Sequence, residues 1–439
     1  MRILLFAYEF PPILAAQSLR WYYLVNELAK IGFELDVLTP LVTDIWGFNP
    51  EFEESVRIYR CFPGPFFGFS GWLGKRLRSP SVITDACTAV IKSPHWRQYN
   101  ILERIYRTLR RVQDQIFFPD SRSEWLPFAW HSAQGLYVKN HYDLVISSHE
   151  PGVDLLLGLR AHRKWGIPWI ADLADPLLTP YTPRWRTHWD RKLERQVCQT
   201  ADAILTTTEG VNALLSSRHD VPVNRFNLIR QGFDHRYNDY RTTLAPSWSR
   251  DSFVLLFTGT FYFGFRDPGP LIQALERLDN VEMVFVGDMG PFMEDLQCLG
   301  SKVKLFGKLP HDVCLSWQRH ADILVNLGNK QDDQVPGKIY EYLGACRPIL
   351  HISSSISDPV PSFLDRFNRG RTARSDVNSI ITVIRGLREL WDHGLLDRSF
   401  DLSMDSVMDY SWMAQASRLC DLISGLGLGT GFYNKVQNA

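Results

Sequence analysis

Short apolar runs alternate with amphipathic stretches along most of the chain. Residues 2–8 are apolar and run into a Pro11-Pro12 loop. Residues 18–30 follow with Leu19, Tyr22, Tyr23, Leu24 and Leu28 at helical spacing, and residues 35–39 are apolar again. This order predicts strand, loop, helix, strand. The rhythm returns at 143–148, 153–164 and 169–173, and once more at 203–207 with a helical stretch to residue 217. After an irregular polar segment, 237–251, a second series predicts strands at 253–258, 281–287, 303–306, 323–327 and 349–352. Helices at 269–278, 312–319 and 338–345 fill its intervals.

Strands that alternate with helices imply parallel sheets, because a parallel pair needs a long crossover. The chain is therefore read as α/β, with two Rossmann-like domains joined near residue 240 and a ligand expected at strand carboxyl ends in the cleft between them. The boundaries are 1–240, 241–410, a helix over 411–425 expected to pack back toward the first domain, and a flexible tail over 426–439. That tail contains G-x-G-x-G-x-G, but no strand precedes it and no room remains for a helix, so a dinucleotide site is rejected.

Residues 62–122 fit neither series. Between Lys75 and Arg122 ten Lys/Arg stand against four Asp/Glu, with aromatics among the arginines. The segment reads as a membrane-surface element or an acceptor-binding lobe; the plainer alternative is a solvated helix that packs Ile101, Ile105 and Leu109 inward.

With 45% hydrophobic and 22% charged residues the composition is globular. The 48 basic and 48 acidic residues cancel, which excludes a bulk polyanion binder and argues against a nucleic-acid partner. Seven cysteines without any C-x-x-C pair suit reduced thiols. Glu9 and the two prolines interrupt the first apolar run before it reaches the length of a signal core. A cytoplasmic protein is expected, peripheral at the inner membrane face if 62–122 docks there.

The stretch richest in chemistry is Asp332-Asp333-Gln-Val-Pro-Gly337-Lys338-Ile-Tyr-Glu341, a Gly/Pro loop that opens into a helix. Free N–H groups and the dipole at a helix start favour a phosphate. Asp333 and Glu341, eight residues apart, bracket that start, so one carboxylate can hold sugar hydroxyls and the other ribose hydroxyls, while Lys338 neutralises phosphate charge.

Here the sequence resembles the retaining glycosyltransferases of family 4, which have the GT-B fold. Their Glu-x7-Glu element finds a counterpart in Asp333 and Glu341. The opening R-I-L-L-F-A-Y-E-F-P-P resembles their first strand and loop, and the stretch from Glu27 to Thr39 is similar to their L…G-H-x-V-x-V-L-T strand. Pro168-Trp-Ile-Ala-Asp172-Leu-Ala-Asp175-Pro176 is similar to the D-F-R-D-P-W signature of one branch, and Thr258-Gly259-Thr260 to the turn that opens the donor domain. The chain departs from the pattern at Ala15-Ala16, where paired glycines are usual, at Ala174 and Leu177, and at Gln231-Gly232-Phe233-Asp234.

The resemblance implies a hexosyltransferase-like enzyme, with an acceptor-side first domain and a nucleotide-sugar donor domain second. It would move a sugar, with retention, to a hydroxyl of a glycan or lipid-linked acceptor in polysaccharide biosynthesis. Arg266 and Lys338 stand for the pair that steadies the departing diphosphate, and His149 lies where relatives place a histidine near the transferred sugar. Gly259, Gly337, Asp333 and Glu341 would bind the donor. Arg266 in a structural ion pair and His149 as a structural residue remain the competing readings, and Asp172 and Asp175 read as acceptor contacts or helix caps. No Asp-x-Asp pattern occurs, so no metal or other cofactor is expected. UDP- and GDP-sugars are both open. Two alternatives stand beside the transferase: a nucleotide-sugar epimerase of the same architecture, and a non-catalytic subunit that kept the fold.

Overall fold

The computed structural model describes residues 1–42, 48–68, 117–179, 182–236, 246, 248, 252–261, 266–329 and 335–428. Most of the 62–122 segment, Asp333 and most of the tail lie outside these residues. The chain divides into two compact units. The first holds the described residues up to Arg230 together with those from Met413, and the second runs from Gln231 to Trp412.

The first unit is built on β1 (Arg2–Phe6), β2 (Glu34–Pro40), β3 (Val56–Cys61), β4 (Leu144–His149), β5 (Trp169–Leu173), β6 (Ala203–Thr206) and β7 (Phe226–Leu228). Every pairing is parallel and the order is β3-β2-β1-β4-β5-β6-β7. Ile3 to Phe6 and Leu144 to Ile146 are fully buried, as continuous apolar strands covered on both faces must be. The second unit repeats the plan with β8 (Val254–Thr260), β9 (Glu282–Asp288), β10 (Val303–Phe306), β11 (Ile323–Leu327), β12 (Ile349–Ser353) and β13 (Gly370–Arg374), in the order β10-β9-β8-β11-β12-β13. The strand order therefore reverses direction once in each sheet, between β1 and β4 and between β8 and β11, and such reversals place ligands at the strands' carboxyl ends.

Two glycines are required by close approach. Gly287, at φ +128°, pairs with Gly259 across β8 and β9, and a Cβ on it would sit 1.9 Å from the Gly259 carbonyl oxygen. Gly158 lets the indole of Trp169 approach so that its Nε1–H donates to Ser147 Oγ at 2.9 Å; a Cβ there would stand 2.3 Å from that nitrogen. The helix Trp412–Gly425 opens on the last residue of the second unit and continues into the first, where Gln415 Oε1 accepts the Arg230 N–H at 2.8 Å and Ala416, Leu419 and Ile423 are buried. Among the described residues no helix is long and apolar enough to cross a membrane.

Candidate active site

In the second unit the residues anticipated around the loop-to-helix start gather at the reversal between β8 and β11. Tyr342, inside the short helix Lys338–Gly344, is buried, and its hydroxyl accepts the Thr258 N–H at 3.0 Å, which fastens that helix to the end of β8. Gln318, from the helix His311–His320, donates to Thr258 Oγ1 at 2.9 Å and also to Glu341 Oε1. The same carboxylate oxygen takes the Lys338 ammonium at 2.6 Å.

Burial alone would raise the Glu341 carboxyl, but Lys338, His311 and the Gln318 amide outweigh it and hold it below the usual range. Burial pulls the Lys338 amine down, and Glu341 more than restores it, so both partners stay charged. The side chains keep 13% and 30% of their surface exposed, enough for a ligand to reach either. Arg266, which follows β8, donates from Nε to Asn329 Oδ1 at 2.8 Å just beyond β11. Gly337 is the residue before the helix, yet a Cβ on it would meet only Gln231 Cγ at 3.5 Å, so the backbone does not demand glycine there. The Ile339 and Tyr340 amides already donate to Pro336 and Gly337. The helix start is thus a narrower anion site than four free amides would make, and the cations carry more of the task.

The first unit presents a different chemistry at its reversal. His149 ends β4 with 3% of its surface exposed, and neither ring nitrogen has a hydrogen-bond partner among the described residues. The Tyr8 hydroxyl, just past β1, is likewise buried without a partner among them. Asp154 Oδ2 accepts the Tyr8 N–H at 2.8 Å, and Asp120 Oδ1 accepts the Arg122 N–H at 2.8 Å as it caps the turn Ser121–Trp125.

Burial pushes the Asp154 and Asp120 carboxyls up. Glu9 rises to about 7, because burial together with the neighbouring Glu150 and Asp120 charges outweighs the Arg122 guanidinium. The result is a set of carboxyls raised above their ordinary range beside an imidazole and a phenol without partners among the described residues, groups suited to exchanging hydrogen bonds with a polyhydroxylated ligand. Sequence reasoning treated Glu9 only as an interruption of an apolar run, and it missed Tyr8, Asp120 and Gln318. For Glu9 a signal existed: a carboxylate directly after a first buried strand, in the loop where such sheets bind ligands.

The competing readings of the aspartates resolve differently. Asp172 is fully buried, receives Arg20 at 2.9 and 3.2 Å and the Trp21 indole at 2.9 Å, and is structural rather than an acceptor contact. Asp175 lies in a bend after β5 and caps no helix, since the next one, Thr187–Thr200, begins past Arg186.

Comparison with known proteins matches residues 17–232 to the glycosyl transferase 4-like domain. None of the curated proteins matches the chain. Among solved structures, sucrose-phosphate synthase from Thermosynechococcus elongatus is similar with a TM-score of 0.67 at 16% identity, over 97% of this chain and 98% of that one. Anabaena HepE in complex with UDP and glucose gives 0.62 at 12% identity, over 97% and 100%. WaaG, a glycosyltransferase involved in lipopolysaccharide biosynthesis, gives 0.60 at 13% identity, over 96% and 100%. Through residues 17–232 the chain belongs to the glycosyl transferase 4-like family, and over nearly its whole length it has the GT-B fold of two Rossmann-like domains.

Proposed function

We propose that this glycosyltransferase is a retaining enzyme that needs no metal ion and moves a sugar from a nucleotide sugar to a hydroxyl of a glycan or lipid-linked acceptor. The observation that carries the reading is the Lys338–Glu341–Gln318–Thr258 network at the end of β8. A bound nucleotide diphosphate draws Lys338 toward its phosphates, and Glu341, kept ionised, accepts the ribose hydroxyls. Asp333 holds hydroxyls of the transferred sugar, as the family pattern implies.

When the anomeric bond breaks, negative charge grows on the leaving diphosphate. Lys338 and Arg266 stabilise it, a task that a divalent ion performs elsewhere. The acceptor hydroxyl is oriented in the first unit by His149 and its neighbouring carboxyls. HepE's complex with UDP supports a uridine donor.

The test is a thermal-shift panel of UDP, GDP and their sugars with the full chain, followed by product analysis with and without EDTA. A uridine nucleotide is expected to raise Tm, as a ligand at 100 times its Kd adds about 2.7 kcal/mol. Transfer in chelator with the anomeric configuration kept supports the reading. An isomerised nucleotide sugar would make the protein an epimerase, and absence of nucleotide release with every donor would make it a non-catalytic subunit.

A further inference from the structure

Three helices of the first unit, all of whose residues are described, turn one kind of charge outward. The helix Val153–Trp165 exposes Arg160, Arg163 and Lys164, and its only acid, Asp154, is fully buried. The helix Thr187–Thr200 exposes Arg191, Lys192 and Arg195, while its two acids, Asp190 and Glu194, are fully buried against Arg186 and against Arg218 and His219. The helix Leu126–Lys139 contains no acid.

On a chain with no net charge this is a basic face, and none of its helices exposes a carboxylate. It is also apolar. Leu126, Leu156 and Leu159 floor a groove of about 600 Å³ that Arg160, Arg163 and Lys164 border. Trp189, on the helix that supplies Gln196 to the groove, is 51% exposed. Trp189, Lys192 and Gln196 share one stripe of their helix, and Gln196 reaches the groove, so aromatic, cation and groove are continuous.

We infer that this face docks the enzyme on an anionic bilayer. The cations meet lipid headgroups while Trp189 and the leucine groove take up the headgroup and acyl boundary. A soluble polyanion would complement the cations and would leave the leucine groove without a role. The face lies outside residues 69–116 and acts on its own described side chains.

The test is flotation of the full chain with vesicles of phosphatidylcholine, alone or with about one third phosphatidylglycerol. Binding is expected only to the anionic vesicles, weakened as salt rises from about 0.05 to about 0.5 M. Each cation near an anionic leaflet contributes about a fivefold gain in partition, so the triple variant Arg160→Gln, Arg163→Gln, Lys164→Gln should lose about a hundredfold. Because Arg160 also lies over the Trp130 ring at 5.0 Å, the variant Arg191→Gln, Lys192→Gln, Arg195→Gln provides a second reading of the same loss. Trp189→Ala should weaken binding and leave its salt dependence in place. Equal binding to both vesicles, wild-type binding by both triple variants, or binding to poly-U RNA but to neither vesicle would overturn the inference. The measurement uses no sugar donor, so its failure leaves the transferase reading intact.

Discussion

Lys338 Nζ and Glu341 Oε1 hold each other at 2.6 Å across one turn of a helix whose tyrosine is bonded to the end of β8. On the proposed reading Glu341→Ala removes the group that accepts the ribose hydroxyls, and it also removes the partner of Lys338. Nucleoside diphosphate affinity should fall by about 1.5–3 kcal/mol, a charge-assisted hydrogen bond's worth, read by calorimetric titration. Lys338→Ala should lower kcat more than it raises KM, since the leaving group is most charged in the transition state.

His149→Phe should separate function from fold. The ring volume stays, and the two nitrogens lost have no partner among the described residues, so chemical denaturation should show stability unchanged or higher. Transfer measured as kcat/KM should drop at least tenfold, following the usual size of a lost polar contact to substrate.

Glu9 gives a pH signature. Its carboxyl rises from the ordinary 4.5 to about 7 in the folded chain, so between those values the native state holds more protons than the unfolded one. Stability is therefore greatest at the acid end and falls as pH climbs through that window, by roughly 3 kcal/mol at the ~1.4 kcal/mol carried by each pH unit. Glu9→Gln should flatten this part of the curve in urea melts from pH 4.5 to 8. The same variant should move the pH profile of transfer around neutrality.

Arg20 and Asp172 form a fully buried pair, with Nε to Oδ2 at 2.9 Å. Asp172→Asn or Arg20→Met leaves one buried charge behind and should cost about 3–5 kcal/mol by denaturant unfolding. The double variant Arg20→Met, Asp172→Leu should recover much of that loss. Nucleotide binding in the surviving folded fraction should not change, because the pair lies in the other unit.

The central strands were legible because their signal is local. β1, β4, β5, β8 and β11 each contain a short apolar run, and the ends of β4 and β8 located His149 and the Thr258–Gly259 turn. Of the edge strands β10 was legible, whereas β3, β7 and β13 were not. β3 reads VRIYRC with one residue buried, β13 reads GRTAR with two, and β7 has three residues. The helix Thr187–Thr200 escaped notice because acids share its inward stripe with Leu193 and Val197, and Glu194 is explained by Arg218, His219 and the Leu178 N–H, all more than a dozen residues away. The acidic surroundings of His149 depend on Asp120 and Glu9 arriving from loops far apart in sequence, a juxtaposition that spacing along the chain does not encode.

The inward turn of Asp190 and Glu194 also bears on how the protein behaves on a column. The pI is near 7.2, so bulk titration suggests a molecule indifferent to charged resins above neutrality. Chromatographic retention answers to the patch that meets the matrix, and two of this protein's helices offer guanidinium and ammonium groups while every carboxylate they carry is buried. At pH 8 it should linger on a sulfonate exchanger that its formal charge says it ought to ignore.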